Sequence, residues 1–276
     1  MGWIAGQLTG RTLLIALTSA EILAFVLPIL LLRLGGTREH PICMRSFLKI
    51  SRPAVIGFTF FAGLAVSILT FLIDYTFLRT GAVAPISMTD IVRDAPSADG
   101  RTAVLLAGVF IFLPAILEEL FVRGALFSAY EQYIGTGACI VVSALCFAML
   151  HGTLSNFIGP LLAGLLYAYM TYSFDCIWPA VAAHCINNLY YVLILWLTNT
   201  YSAFGIWKYF PAVSGILLLS CAYLAFCMLE NLLASGHIRR FSKPGIAEHG
   251  LRAILINPGF TVFVLAFAAK AIFKLY

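Results

Sequence analysis

Three ionisable residues stand close together inside a long apolar stretch of the chain. Glu118 and Glu119 are adjacent in the run LAGVFIFLPAILEELFVRGALF, and Arg123 follows four residues after Glu119. Charged side chains at membrane depth are unfavourable unless they pair or face a wet cavity, so a chain that keeps them there usually uses them. On a helix Glu119 and Arg123 share a face, which predicts an ion pair. Glu118 then has no cation on its own helix, and this favours a role as general base.

Polar side chains recur in two further apolar segments. The run FAMLHG places Phe147 and His151 four residues apart, and AAHCINN does the same for His184 and Asn188. This spacing puts each pair on one helix face. A carboxylate and an imidazole can deprotonate a water for attack on an amide carbonyl, while a second imidazole and an amide donate hydrogen bonds to the oxyanion. The set is sufficient for peptide hydrolysis without a cofactor. Zinc is not excluded, because Glu with two His also forms a common zinc shell.

The composition predicts an integral membrane protein. Of 276 residues, 62% are hydrophobic and only 11% are charged, and the mean hydropathy is +0.97. Soluble domains carry about 25% charged residues. The continuous apolar runs favour helices over barrel strands. We therefore predict an all-α polytopic membrane helix bundle with about eight transmembrane segments, near 12–34, 54–78, 102–130, 136–151, 156–173, 177–199, 209–233 and 253–274. One membrane domain spans 1–276, and its motif-bearing catalytic core covers about 102–199.

Orientation is predicted from the basic connectors. Residues 33–52 and 234–252 are rich in Arg and Lys, which places both loops on the cytoplasmic side of a multi-pass protein of the cell membrane. The formal charge of +5 follows from these loops and fits contact with anionic lipid. The expected partners are therefore the lipid bilayer and a membrane-associated or lipidated peptide, and no nucleic acid is needed to explain the charge.

Several other polar residues receive no role in the site. The seven cysteines lack metal-ligand spacing and are expected to be small buried hydrophobes. Glu21, Asp74 and Glu230 lie near segment ends or lack a recognisable pattern, so snorkelling or a contact between helices explains them more simply.

At the three motifs the chain resembles the CPBP family of intramembrane proteases, also called the type II CAAX prenyl endopeptidase or Abi family. The motifs are EExxxR at 118–123, FxxxH at 147–151 and HxxxN at 184–188, in the family's order. The resemblance implies an intramembrane glutamate-dependent peptide hydrolase that processes CAAX-type or other membrane peptides. It also implies roles for the residues. Glu118, helped by His151, activates water; His184 and Asn188 form the oxyanion hole; Glu119, Arg123 and Phe147 shape the site.

Two functions of other classes remain open from the residues. A non-catalytic membrane scaffold or bacteriocin self-immunity protein would keep the polar cluster to bind a peptide or a partner. A proton-coupled transporter would use the acids and histidines as a relay, although the sequence has no inverted repeat with interrupted helices to support it.

Overall fold

Eight helical rods make up the computed structural model, which describes residues 10–35, 52–79, 107–154, 156–200, 208–239, 252, 254 and 256–273. No strand occurs among these residues, so the predicted all-α class is confirmed. The helices are α1 (Gly10–Gly35), α2 (Pro53–Arg79), α3 (Leu113–Glu119), α4 (Phe127–Ile134), α5 (Thr136–Leu150), α6 (Ile158–Phe174), α7 (Trp178–Thr200), α8 (Phe210–Ala234) and α9 (Pro258–Phe273). Two π-helical segments, Gly108–Phe112 and Leu120–Leu126, flank α3 and join it to α4 in one rod.

The apolar helices identify a membrane protein. Ile15–Leu34, Pro53–Phe77 and Phe210–Ala234 are long and apolar enough to cross a bilayer. On α8, large apolar side chains such as Leu219 and Tyr223 face outward, as lipid contact requires. The rods follow the eight predicted segments closely, while eight crossings remain a prediction. Most of both basic connectors lies outside the described residues, so the predicted orientation also stays a prediction.

The rod that carries the acids departs from α geometry on both sides of Pro114. Proline lacks a backbone N–H and disfavours a regular helix upstream of itself, and here Gly108–Phe112 is a π segment that ends just before α3. A second π segment begins directly after Glu119. Wide turns of this kind occur mostly at functional sites. The sequence predicts a kink or opening near Pro114. In the structure the helix opens into two π-helical segments, one on each side of α3.

Helix α2 is central and packs against α6, α7 and α8. Its Gly63 lies so close to α7 that an added Cβ would be 3.1 Å from the Cα of Ala183. Small residues such as Ala183 allow a neighbouring helix to approach closely. Helix α7 also packs against α3 and the first π segment, which places its polar face beside the rod that carries Glu118 and Glu119.

Candidate active site

Glu119 and Arg123 form a fully buried ion pair in the centre of the bundle. Nη1 of Arg123 lies 2.9 Å from Oε1 of Glu119, which confirms the predicted pair. Nη2 of Arg123 donates a second hydrogen bond, also 2.9 Å long, to the carbonyl oxygen of Gly164 on α6. The guanidinium therefore ties the acid-bearing rod to α6. A buried pair of this kind is strongly destabilising to break from one side.

His184 contacts the same carboxylate from α7. Its Nδ1 lies 3.1 Å from Oε1 of Glu119, and the ring is buried. Because a carboxylate oxygen accepts, Nδ1 carries the proton in this contact. The ring also stacks on Tyr167, with centroids 5.4 Å apart. The sequence paired His184 with Asn188 and gave no sign of the contact with Glu119.

His151 lies just past the end of α5, where its tautomer is fixed by the backbone. Its Nδ1 is 2.9 Å from the carbonyl oxygen of Phe147. A carbonyl oxygen only accepts, so Nδ1 is the donor and Nε2 of the neutral ring keeps a lone pair. Gly152, with φ of 75°, ends the helix in the left-handed conformation, and its N–H donates to the carbonyl of Met149. His151 is thus prepared to accept a proton at Nε2.

The buried ring of Phe147 lies between the functional side chains of three helices. Ring centroids are 5.0 Å from His151 and 5.5 Å from His184, both edge-to-face. The Arg123 guanidinium lies over the ring, 4.5 Å from its centroid. These contacts restrict both imidazoles and provide a cation–π interaction.

Two cavities meet at His151. The larger, about 490 Å³, is lined by Glu118 and His151 together with mainly apolar side chains, including Phe25 of α1 and Phe263 of α9. The smaller, about 240 Å³, is lined by His151, His184 and Asn188 and is more polar. Both are far larger than the ~30 Å³ that one water occupies in the liquid. The four predicted catalytic residues are therefore distributed over two adjoining cavities that share one imidazole.

Two polar groups at the cavities retain hydrogen-bonding capacity. Nδ2 of Asn188 donates to the carbonyl of Ile111, in the first π segment, at 3.3 Å. An amide nitrogen has two hydrogens, so one remains for another acceptor. Oε2 of Glu118 is buried and has no hydrogen-bond partner among the described residues. A buried oxygen of this kind is a favourable position for a bound water.

Two acids that the sequence analysis left out of the site lie close to these groups. Asp74 of α2 lines the smaller cavity and accepts a hydrogen bond from the hydroxyl of Tyr191. Glu21 of α1 is close enough to Glu118 for the two carboxyl groups to interact electrostatically. Neither residue belongs to a motif, so nothing in the sequence indicated these contacts.

Metal-ligating residues are not clustered in the described part of the chain. No three His, Cys, Asp or Glu side chains there are arranged so that they could hold a metal ion. Glu119, the acid that contacts His184, is already paired with Arg123.

Comparison with protein families identifies the segment that carries this geometry. Residues 100–190 match the family model described as type II CAAX prenyl endopeptidase Rce1-like. The predicted family is confirmed. The Rce1-like segment covers about a third of the chain and includes all three motifs, from Glu118 to Asn188. It supports a function of the CAAX-type intramembrane protease kind. The chain matches no curated protein and no solved structure.

Proposed function

We propose that the chain is an intramembrane endopeptidase in which Glu118 and His151 activate water and His184 with Asn188 stabilises the oxyanion. The observation that carries the proposal is the position of His151 between the two cavities. Glu118 borders one of them, and the two donors border the other. A water beside His151 therefore reaches a base on one side and a peptide carbonyl on the other.

In the first step the water oxygen attacks the carbonyl carbon and one proton of the water passes to Glu118. The other hydrogen stays on the attacking oxygen and donates a hydrogen bond to Nε2 of His151. The unpartnered oxygen of Glu118 and the free lone pair of His151 are suited to these two roles. When the C–N bond breaks, the same proton is returned to the leaving amine. The base is thereby regenerated without a covalent intermediate.

The negative charge that develops on the carbonyl oxygen needs donors already in place. Asn188 offers its second amide hydrogen, because the first is held by Ile111. His184 donates from Nε2 while Nδ1 still donates to Glu119, which requires the doubly protonated ring. The Glu119 carboxylate stabilises that positive ring. In this scheme Glu119 and Arg123 position His184 and do not touch the substrate.

The larger cavity fits the apolar part of a membrane peptide. Phenylalanine side chains from α1, α9 and the second π segment surround it, and Glu118 lies at its wall. An acyl, prenyl or apolar peptide segment could remain in this space while the scissile bond enters the polar cavity. The preferred substrate is therefore a lipidated or strongly apolar peptide.

Cleavage of a library of acylated and prenylated peptides by the purified chain tests the proposal. We expect Glu118→Gln and His151→Ala each to lower kcat by roughly 10²- to 10⁴-fold, the usual contribution of a general base. Cys185→Ala, which changes the neighbour of His184, serves as the control with near wild-type activity. Retained cleavage in Glu118→Gln would end the proposal. Stoichiometric zinc in the active protein, measured by elemental analysis, would replace the metal-free scheme.

A further inference from the structure

The smaller cavity contains a carboxylate that the proposed reaction does not use. Asp74 lines this cavity, and the Tyr191 hydroxyl donates to its Oδ2. The other oxygen, Oδ1, has no hydrogen-bond partner among the described residues. The bond to Tyr191 fixes the carboxylate on the wall that α2 and α7 share. Its second oxygen remains available to a ligand.

No Lys or Arg side chain lines this cavity within the described part of the chain. The nearby guanidinium of Arg123 is bound to Glu119 and Gly164 and does not line the cavity. The amine of Lys270 is placed beside Gly152, outside the lining of the cavity. Of the two imidazoles in the cavity, His184 is bound to Glu119 and His151 donates to the carbonyl of Phe147, so no Lys or Arg balances the Asp74 carboxylate.

The Asp74 carboxylate lies beside the amino end of α6. A Cβ added to Gly159, in the first turn of α6, would lie 3.9 Å from Oδ1. The amino end of a helix carries a partial positive charge of about half a unit, which stabilises a nearby carboxylate. Half a unit does not balance a full negative charge, so the cavity stays attractive to cations.

Asp74 is also close to the atoms proposed to hold the oxyanion. Its partner Tyr191 follows Asn188 by three residues on α7, which is about 4.5 Å along the helix axis. An extended peptide advances about 3.3–3.6 Å per residue. Asp74 and Asn188 line the same cavity, so a peptide whose carbonyl is held by Asn188 would have a residue near the scissile bond beside Asp74.

We propose that Asp74 is a specificity-determining residue that selects peptides with a cationic group within about two residues of the scissile bond. The group is a Lys or Arg side chain or a free amino terminus. A charge-assisted hydrogen bond to Oδ1 favours such peptides, and repulsion disfavours peptides with an acidic residue or a free carboxylate at that place. The inference rests on the proposed function, because the cavity is assigned to the peptide through the reaction scheme.

Binding to an inactive chain measures this preference apart from cleavage. The Glu118→Gln protein is titrated with peptides that share one acyl anchor and one uncharged sequence, in which successive positions carry Lys, Gln or Glu and the amino terminus is free or acetylated. For at least one position, we expect the Lys peptide to bind about tenfold more tightly than the Glu peptide, or the peptide with a free amino terminus to bind about tenfold more tightly than the acetylated one. A tenfold difference in affinity corresponds to about 1.4 kcal/mol. Comparison of the Lys series with the terminus series identifies the source of the cation.

Adding Asp74→Asn to the same protein should reduce the Lys-to-Glu ratio to about twofold or less, since most of a charge-assisted bond depends on the ionised partner. Glu230→Gln, which removes the same charge from the exposed side of α8, should leave the ratio unchanged.

An equal ratio with and without Asp74, or tighter binding of the Glu peptides, would overturn the inference. If Asp74→Asn does not fold, the Lys-to-Glu affinity ratio in the Glu118→Gln protein still tests the inference, because a ratio of one or less contradicts a preference for cationic peptides. A chain that binds Lys peptides selectively and cuts none contradicts the proposed peptidase and supports the role of Asp74.

Discussion

The carbonyl oxygen of Gly164 lies 2.9 Å from Nη2 of Arg123, and a Cβ on this glycine would lie only 3.2 Å from the same nitrogen. The same Cβ would be 3.1 Å from the Cα of Ala144 on α5. Helix α6 therefore has no side chain where the guanidinium enters. The buried ion pair of the site depends on this gap.

Filling the gap should destabilise the protein. We expect Gly164→Ala to lower the thermal midpoint in detergent, because overpacking a fixed core usually destabilises by about 1–3 kcal/mol. The matched control is Gly215→Ala on α8, where an added Cβ meets nothing within 4 Å. That change should be neutral or stabilising by up to about 1 kcal/mol, as for other helical glycines. Equal midpoints for the two variants would show that the close approach is unimportant.

Removing one partner of the buried pair should be more damaging than removing both. Arg123→Met leaves the Glu119 carboxylate buried with only His184 as partner, and loss of one partner from a buried pair typically destabilises by about 3–5 kcal/mol. Adding Glu119→Gln should restore part of this stability. Thermal unfolding of the two single variants and the double variant forms a double-mutant cycle.

The exposed pair Arg239 and Asp175, 3.6 Å apart and about half exposed on both sides, is the control for that cycle. Arg239→Met should destabilise by less than about 1 kcal/mol, because solvent screens such pairs. If Arg123→Met were equally mild, Glu119 would not depend on the guanidinium. If the double variant were less stable than either single variant, the two side chains would contribute independently.

Asn188 should affect turnover more than substrate binding. Asn188→Ala and Asn188→Asp both remove the amide donor, and loss of one oxyanion donor typically lowers kcat by about 10²- to 10³-fold. We expect KM to change little, because the bond strengthens only as charge develops. Asn231→Ala, which removes an exposed amide from α8, is the control. A change confined to KM, with kcat unaffected, would assign Asn188 to substrate binding.

Local sequence patterns predicted a large part of this arrangement. The apolar runs located the helices, because backbone groups in an apolar solvent must be satisfied within the segment. The ion pair between Glu119 and Arg123 also followed from sequence, since side chains four residues apart on a helix lie on one face. The three motifs indicated the family for the same reason. Each motif lies within a few residues of one segment, so it can be recognised without knowing how the helices pack.

Contacts between distant helices could not be predicted in this way. Glu119 and His184 are 65 residues apart, and their contact depends on how closely α7 approaches the acid-bearing rod. Gly63 and Ala183 permit α7 to approach α2, but small residues indicate only that two helices can come near and not at which height or rotation. Asp74 was left out of the site because its neighbours in space, Tyr191 and His151, are remote in sequence.

The amino-acid sequence by itself determined the helices, the pairing within each helix and the family to which the central segment belongs. Only the tertiary structure decided that the site has two cavities with His151 between them, and that Asp74 faces the smaller one. The physical reason is that helix formation depends on interactions within a few residues, whereas a cavity depends on the crossing angles and relative heights of several helices, which are set by the packing of all their side chains together.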